Sequence, residues 1–517
     1  DINDVQLEDI ESITLLKDAS ATVIYGIRGA NGVINVVTKR GKTGALAING
    51  KVEQAILEPT RIPEFLNSAD YVKLYNQALV NDGFSPLYTP AQIAGYENGD
   101  RYYFPDVNWR DEVTKKSTQG TKANVDVSGG DKTATYFVSL GYFNQGGIYK
   151  NTDMNEGYST NVGLNNVSFR SNLDMNVNKN WTFGLDLNGR ISQKNSPYSS
   201  NSTIWDMMNK YPAHLFPVYV QDGVYGGTSV YPNNLVGYIN AKGYRQTNDR
   251  LILSTLSTKY DFSDLIKGLT AGMRYSVDNF YSNQEGHTKN FAVRELLGKD
   301  AASGMPVLSP TIGINSNLVP LTSSGLPTSD VQNRRSTFEG NLQYAPSLGQ
   351  NHKLNTQLIY HQDRLIIGNE SPYNYQFLSG RANYGYMNRF FAEIGASYSG
   401  TEAFPKGERF GFFPAVSAAW DISQENFLKG NKSINYLKLR VSAGIVGNSA
   451  VNERFSDIRQ YIADDGYYFG TSNASQSGLY PGVIANPNFT WETANKYDVG
   501  IDARLFNGLD LAFTYFF

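Results

Sequence analysis

Apolar and polar residues alternate with a period of two over most of this chain, in unusually long runs. In 167–177 the odd positions are Val167, Phe169, Ser171, Leu173, Met175 and Val177, against Ser168, Arg170, Asn172, Asp174 and Asn176. After the turn Asn178-Lys179-Asn180, Trp181, Phe183, Leu185, Leu187 and Ile191 alternate with Thr182, Asp186, Asn188, Arg190 and Ser192. The scheme returns in 269–281, where Leu269, Ala271, Met273, Tyr275 and Val277 face away from Thr270, Arg274, Ser276 and Asp278, and again in 437–445 and 497–505. Period two means a β-strand with one greasy and one wet face. Strands of soluble sandwiches average about 5–6 residues, whereas a tilted strand that crosses a bilayer needs about 9–11. These runs fit the second length.

Extended along the chain, the pattern predicts strands at 43–55, 121–130, 133–144, 161–177, 180–193, 247–262, 269–282, 334–346, 352–366, 376–387, 389–400, 409–421, 436–446, 492–505 and 508–517. Their connections fall into two alternating classes. Those at 131–132, 178–180, 263–268, 347–351 and 506–508 are short, and those at 56–120, 145–160, 194–246, 283–333 and 447–491 are mostly long. Membrane barrels show this asymmetry, with tight turns at one end and long loops at the other. Loops 367–375 and 401–408 are short for their side, and 422–435 is long for its side. The number of predicted strands is odd, and single-chain bacterial barrels have even counts. The chain also opens without an initiator methionine or a leader pattern, so it is expected to be a fragment lacking residues at both ends.

The first forty residues read differently. DIESITLLKDASATVIYGIRGANGVINVVTK (9–39) predicts a strand at Ser12–Lys17, a short helix capped by Asp18 or Ser20 and running to Tyr25, a loop punctuated by Gly26, Gly29 and Gly32 around Arg28 and Asn31, and a second strand at Val33–Thr38. Within the first long loop, SADYVKLYNQALV (68–80) places Tyr71, Leu74, Tyr75 and Leu79 at helical spacing, which predicts a short amphipathic helix.

Composition narrows the chemistry. The 517 residues carry a formal charge of only -3, which gives no electrostatic basis for nucleic-acid binding. Cysteine is absent, so disulfides, thiolate metal sites and cysteine nucleophiles are excluded. Charged residues make up 18%, while 35 Tyr, 27 Phe and 49 Gly suit antiparallel strands with wet and greasy faces. There is no apolar run long enough for a transmembrane helix, which leaves a strand-built span open. The four histidines, His214, His287, His352 and His361, lack metal-ligand spacing. Neither a Ser-His-Asp order nor a nucleophile elbow nor HExxH stands out. The glycines at 26, 29 and 32 miss the G-x-G-x-x-G spacing of a dinucleotide loop. No catalytic, cofactor or metal residue is therefore expected. Strand-end aromatics (Tyr142, Trp181, Tyr260, Tyr275, Trp420, Tyr497) suit interfacial girdles. Loop aromatics, among them Tyr102, Tyr103, Trp109, Tyr225, Tyr467 and Tyr468, are ligand or partner candidates, because rings stack on sugars and grip protein surfaces.

The opening segment closely resembles the end of the plug domain in SusC/RagA-type TonB-dependent outer-membrane transporters. The resemblance continues in family order through SADYVKLYN (68–76), NWRDEV (108–113), VSGGDKTATYFVSLGYFNQGGIYKNTD (127–153), GRANYGYMNRFFAEIGASYSGTEAFPKGERFGFFPAVSAAWDIS (380–423), INYLKLRVSAGIVGN (434–448) and ANPNFTWETANKYDVGIDARLF (485–506). It implies an all-β transmembrane antiparallel barrel of 22 strands in a full-length member, with about 15 present here, and a plug. Residues 1–42 would be the C-terminal part of the plug. Residues 43–517 would be an incomplete barrel with long extracellular loops at about 56–120, 194–246, 283–333 and 447–491. Gly26, Arg28, Gly29, Asn31 and Gly32 would form a structural or gating plug loop. The implied activity is import of a glycan or peptide with a SusD-like surface lipoprotein, driven by the TonB complex through a missing N-terminal segment, in contact with outer-membrane lipid and without a cofactor. The alternatives are a passive porin or adhesin-type barrel without TonB coupling, and a secreted soluble β-protein.

Overall fold

The computed structural model describes residues 4–150, 152, 158–320, 331–449 and 454–517. Parts of the expected loops 283–333 and 447–491 lie outside those residues. The two predicted N-terminal strands, β1 (Ile10–Leu16) and β2 (Val33–Thr38), pair antiparallel. Every later predicted strand is present: β3 (Gly44–Leu57), β4 (Thr118–Gly130), β5 (Ala134–Gly146), β6 (Gly163–Asn176), β7 (Trp181–Pro197), β8 (Gly243–Asp261), β9 (Leu269–Thr288), β10 (Val331–Tyr344), β11 (His352–Ile367), β12 (Tyr373–Tyr386), β13 (Phe390–Thr401), β14 (Phe410–Asp421), β15 (Ile434–Asn448), β16 (Glu492–Leu505) and β17 (Leu509–Phe516). They run as one antiparallel meander in chain order, within a 16-stranded sheet whose remaining member, Val319–Pro320, pairs with the C-terminal end of β9.

The predicted limits fall short at the loop-rich end. The expected 247–262 and 269–282 extend to Gly243–Asp261 and Leu269–Thr288, paired throughout. There both faces are polar, as at Gln246, Asn248, Asn283 and Gln284, so the hydrophobic alternation ends before the ladder does. At the opposite end the strands reverse in tight turns. Met387 and Asn388 have φ of 53° and 56°, and Phe506 and Asn507 of 53° and 55°, the left-handed pairs a two-residue hairpin needs.

The two faces of the wall are inverted relative to a soluble protein. Outward side chains are apolar and exposed, as with Ile252, Leu256, Met273 and Ile394, whereas inward Asn124, Ser139, Asn172, Ser379 and Ser397 are buried. A sandwich buries its apolar face against a second sheet; here that face is open, which is the arrangement of a lipid-facing wall. The sheet is not closed, since β3 and β17 each pair on one side only. None of the described helices is long and apolar enough to cross a membrane. Girdle aromatics sit on the outward face at strand ends. Trp181 meets Tyr260 at 6.3 Å between ring centres, and Phe390 stacks on Trp420 at 6.1 Å.

Two local expectations change. The helix after β1 is only α1 (Ala19–Thr22), continued by 3-10 turns over Val23–Gly29 with a kink at Gly26, so most of the expected glycine loop is helical. Asp18 stands at the N-cap, but its side chain makes no capping bond. The amphipathic helix forms as α2 (Ser68–Asn81), yet the residue it buries is Val72, while Leu74 and Tyr75 of the predicted face are exposed. Its N-cap Asn67 accepts from the Asp70 N–H at 2.9 Å. The helices α3 (Pro90–Asn98), α4 (Trp109–Val113), α5 (Asn201–Lys210) and α6 (Leu235–Asn240) share the same loop-rich end. There the long loops build a core of their own around Trp109, Ile204, Phe216, Leu235 and Ile239.

Candidate functional site

Residues 4–42 lie against the inner face of the wall and touch it through two kinds of chemistry. Around β1 and the end of β2 the contact is polar. Lys122 meets Glu8 at 2.6 Å. Asp9, only 2% exposed, accepts from the Ser139 hydroxyl at 2.9 Å and pairs with Arg170 at 3.3 Å. Burial holds the Asp9 carboxyl above its ordinary range, although Ser139 and Arg170 both pull it down. Arg40 spans two wall carboxylates, Asp174 at 2.8 Å and Asp186 at 2.9 Å, and the hydrogen bonds it donates to Asp174 keep its guanidinium firmly charged. Asn172 donates to the Lys39 carbonyl at 2.8 Å, and Lys496 to the Ala30 carbonyl at 2.6 Å.

The helical turn meets the wall through apolar contacts. Ala19 and Val23 pack with Ala415, and Ile27 packs with Ile359, Tyr375, Phe377 and Phe413. Glycines in the wall permit the close approach: a Cβ on Gly395 would stand 2.8 Å from a Val23 methyl, and one on Gly444 would stand 2.6 Å from the Ala19 Cβ. Gly26 has φ +58°, and a side chain there would collide with the Tyr375 hydroxyl and the Phe377 ring. Beside it the Ile27 N–H donates to the Tyr375 hydroxyl at 2.9 Å.

A charged cluster closes this end. Arg28 pairs with Asp363 at 2.9 Å and lies over the Tyr375 ring at 5.6 Å. Asp363, 2% exposed, also takes Arg335 at 2.9 Å. His361, expected only as an ordinary strand histidine, lies 3.6 Å from Glu339 and 4.0 Å from Asp363, with its ring stacked on Phe377. No group of metal-holding side chains occurs among the described residues. Of the five predicted loop residues, Gly26 and Arg28 touch the wall, Gly29 packs on Thr22, and Gly32 immediately precedes β2 with φ +94°, while Asn31 is exposed. Sequence reasoning did not single out Asp363, Tyr375, Asp9 or Arg40. For Asp363 and Tyr375 the one sequence signal is a charged or hydroxyl side chain at an inward strand position, whereas Asp9 and Arg40 flank β1 and β2 outside any alternating run.

The predicted loop aromatics divide. Trp109 is 3% exposed and packs edge-on against Phe216, so its ring has no free face for a ligand. Tyr225 stacks on Tyr219 at 5.2 Å beside the same core. The Tyr102 hydroxyl donates to the Val220 carbonyl at 2.5 Å, and Tyr103 lies edge-on to Tyr102 with Lys299 5.9 Å from its ring centre. These four hold the loops to one another. Tyr467 and Tyr468 instead project, 63% and 68% exposed, from a hairpin of Tyr461–Phe469 and Ala474–Pro481. A second aromatic knot surrounds His214, which stacks on Tyr71 and bonds the Tyr88 hydroxyl at 2.7 Å. Burial pulls its pKa down to about 4.

A strand wall with lipid-facing apolar residues, its inner face occupied by a folded segment, defines an outer-membrane β-barrel protein with an internal plug-like element. Comparison makes the kinship specific: the chain is similar throughout to the SusC/RagA type of TonB-dependent receptor. It is 27% identical to TonB-dependent receptor P26 of Formosa agariphila, an alignment that covers 98% of this chain and 50% of the relative. It is 26% identical to TonB-dependent receptor SusC of Bacteroides thetaiotaomicron, over 97% of this chain and 49% of that one. The chain thus spans about half the length of the curated relatives it matches. Among solved structures, the RagAB peptide importer in its closed-closed state superposes with a TM-score of 0.73 at 18% identity, covering 99% of this chain and 59% of that one. The siderophore receptor PirA of Acinetobacter baumannii matches at 0.51 and 12% identity, covering 100% and 58%. No protein-family model matches the chain.

Proposed function

We propose that this protein imports a glycan or peptide nutrient across the outer membrane by TonB-dependent transport. Residues 1–42 are the C-terminal part of a plug, and 43–517 are barrel wall with outer loops. The observation that carries this reading is the occupied lumen face: a folded segment held by reversible polar contacts and ion pairs blocks the path a solute would take. Arg28 and Gly26 seat the plug at Asp363 and Tyr375. Force from the TonB complex, applied through a segment outside these residues, breaks those contacts and opens the path. A SusD-like lipoprotein at the loop-rich end delivers the ligand, and Tyr467 and Tyr468 are the exposed rings best placed to meet ligand or lipoprotein. The names of the relatives support import rather than catalysis.

A passive porin or adhesin is the competing reading, and the filled inner face weighs against it. The deciding measurement is uptake by cells carrying the full-length protein with its TonB-contacting segment deleted. Uptake is expected to cease while surface levels stay normal; unchanged uptake would establish a passive channel.

A further inference from the structure

The outward face carries three arginines without an ion pair among the described residues at the upper margin of its apolar belt. On β8 the outward positions run Leu256, Ser254, Ile252, Arg250; on β10 Phe338, Ser336, Arg334; on β11 Leu358, Tyr360, Gln362, Arg364, and all three arginines are exposed. Register fixes their heights. Ile252 lies opposite Asn279, which lies opposite Arg334, and Val277 lies opposite Ser336, which lies opposite Arg364. Below the arginines the outward faces carry Ile252 on β8, Val277 on β9, Phe338 on β10 and Tyr360 on β11, while Tyr281 lies opposite Arg250 and Ile366 opposite Arg334. The arginines therefore stand at the upper, loop-rich margin of the apolar belt, interleaved with these two side chains.

Their environment sets them apart. Three inward arginines have carboxylates: Arg335 with Asp363 at 2.9 Å, Arg170 with Asp9 at 3.3 Å, Arg440 with Asp502 at 3.2 Å. Arg250, Arg334 and Arg364 have no ion pair or side-chain hydrogen bond among the described residues. Two carboxylates in the neighbourhood are already engaged: Glu285, further up β9, by Asn248 at 3.1 Å, and Glu402, beside Asn374 opposite Arg364, by Arg454 at 3.0 Å. At strand spacing, the Arg334 and Arg364 backbones stand about 8 Å apart and Arg250 about 12 Å from Arg334, close enough for three long side chains to converge on neighbouring phosphates. Guanidinium forks bind phosphate oxygens in pairs, and cations at a membrane rim attract anionic headgroups.

We propose that Arg250, Arg334 and Arg364 form a docking site for the phosphate-bearing headgroup of an outer-leaflet lipid. The site rests on the membrane placement of the wall and is independent of how transport is energised. The test is native mass spectrometry of the detergent-solubilised full-length protein with phosphatidic acid or phosphatidylcholine of identical chains. Phosphatidic acid adducts are expected to predominate and to fall by about tenfold or more in R250Q/R334Q/R364Q, while K267Q/K432Q, altered in turns at the opposite end, retains them. Equal adducts in both variants would overturn the site. Should the triple variant not fold, phosphatidic acid with a photoreactive headgroup decides on the unaltered protein. Crosslinks within 243–261, 331–344 and 352–367 support the row, and crosslinks confined to 262–268 and 422–433 refute it. Lost lipid selectivity with uptake intact refutes this site alone, and lost uptake with selectivity intact leaves it standing.

Discussion

Asp363 takes both Arg28 and Arg335 at a position almost closed to solvent. Its replacement by alanine strands two guanidinium groups at the seam and is expected to destabilise the seating of residues 4–42 by about 3–5 kcal/mol. The check is a urea titration of protease sensitivity within that segment. Asp363→Asn, which keeps volume and one acceptor, should lose less. Gly26→Ala meets two obstacles, a left-handed backbone and the Tyr375 and Phe377 side chains. It is expected to cost upward of about 1 kcal/mol in the same assay, and pairing it with Tyr375→Phe relieves only the steric part. The glycines were legible in the sequence because left-handed turns select them. Their wall partners were not: Tyr375 is 348 residues from Ile27 along the chain, and no local pattern encodes that encounter.

At the level of elements, period two revealed each wall strand, because lipid on one side and water or the N-terminal segment on the other impose opposite demands on alternate residues. It failed at the outer ends, where hydrogen bonding continues between polar faces. It also placed the buried side of α2 only in part: Val72 is its buried apolar residue, and of the predicted face Tyr71 and Leu79 are half-buried while Leu74 and Tyr75 are exposed. The outer-loop core supplies two expectations. Trp109→Ala should empty its centre and cost about 3–5 kcal/mol of local stability, seen as faster hydrogen exchange in 106–113 and 204–216. His214 has a folded pKa lowered from 6.5 to about 4 by burial, so the folded loops favour its neutral form. Their stability is complete above pH 6.5 and declines as pH falls toward about 4. Hydrogen exchange in 66–104 should quicken across that window, and His214→Gln should remove the dependence.

For the whole molecule, the inverted wall makes a depth-dependent prediction. Leu256→Arg, within the outward belt of β8, is expected to cost about 2–4 kcal/mol near the bilayer midplane, measured by reversible unfolding of the full-length protein from vesicles. The same substitution toward the rim, at Ser336, should cost less than about 1 kcal/mol. Fold class could be read from strand length and loop asymmetry. What could not be read was how the N-terminal segment fits inside, because charge pairs between sequence-distant positions carry that fit.

The seat of that segment is polar where Glu8, Asp9 and Arg40 flank β1 and β2. It is mainly apolar along α1 and the turn that follows, whose ion pair, Arg28 with Asp363, uses a carboxylate closed to solvent. Ionic strength acts on the first edge and barely on the second, since the Arg40 pairs are a third exposed while Ala19 and Val23 are buried. Raised salt should therefore free the strand edge first and leave the helical edge docked. The element would swing like a door on a greasy hinge rather than lift away as a stopper, and exchange at Ile10–Leu16 should accelerate with salt well before exchange at Val23–Ile27.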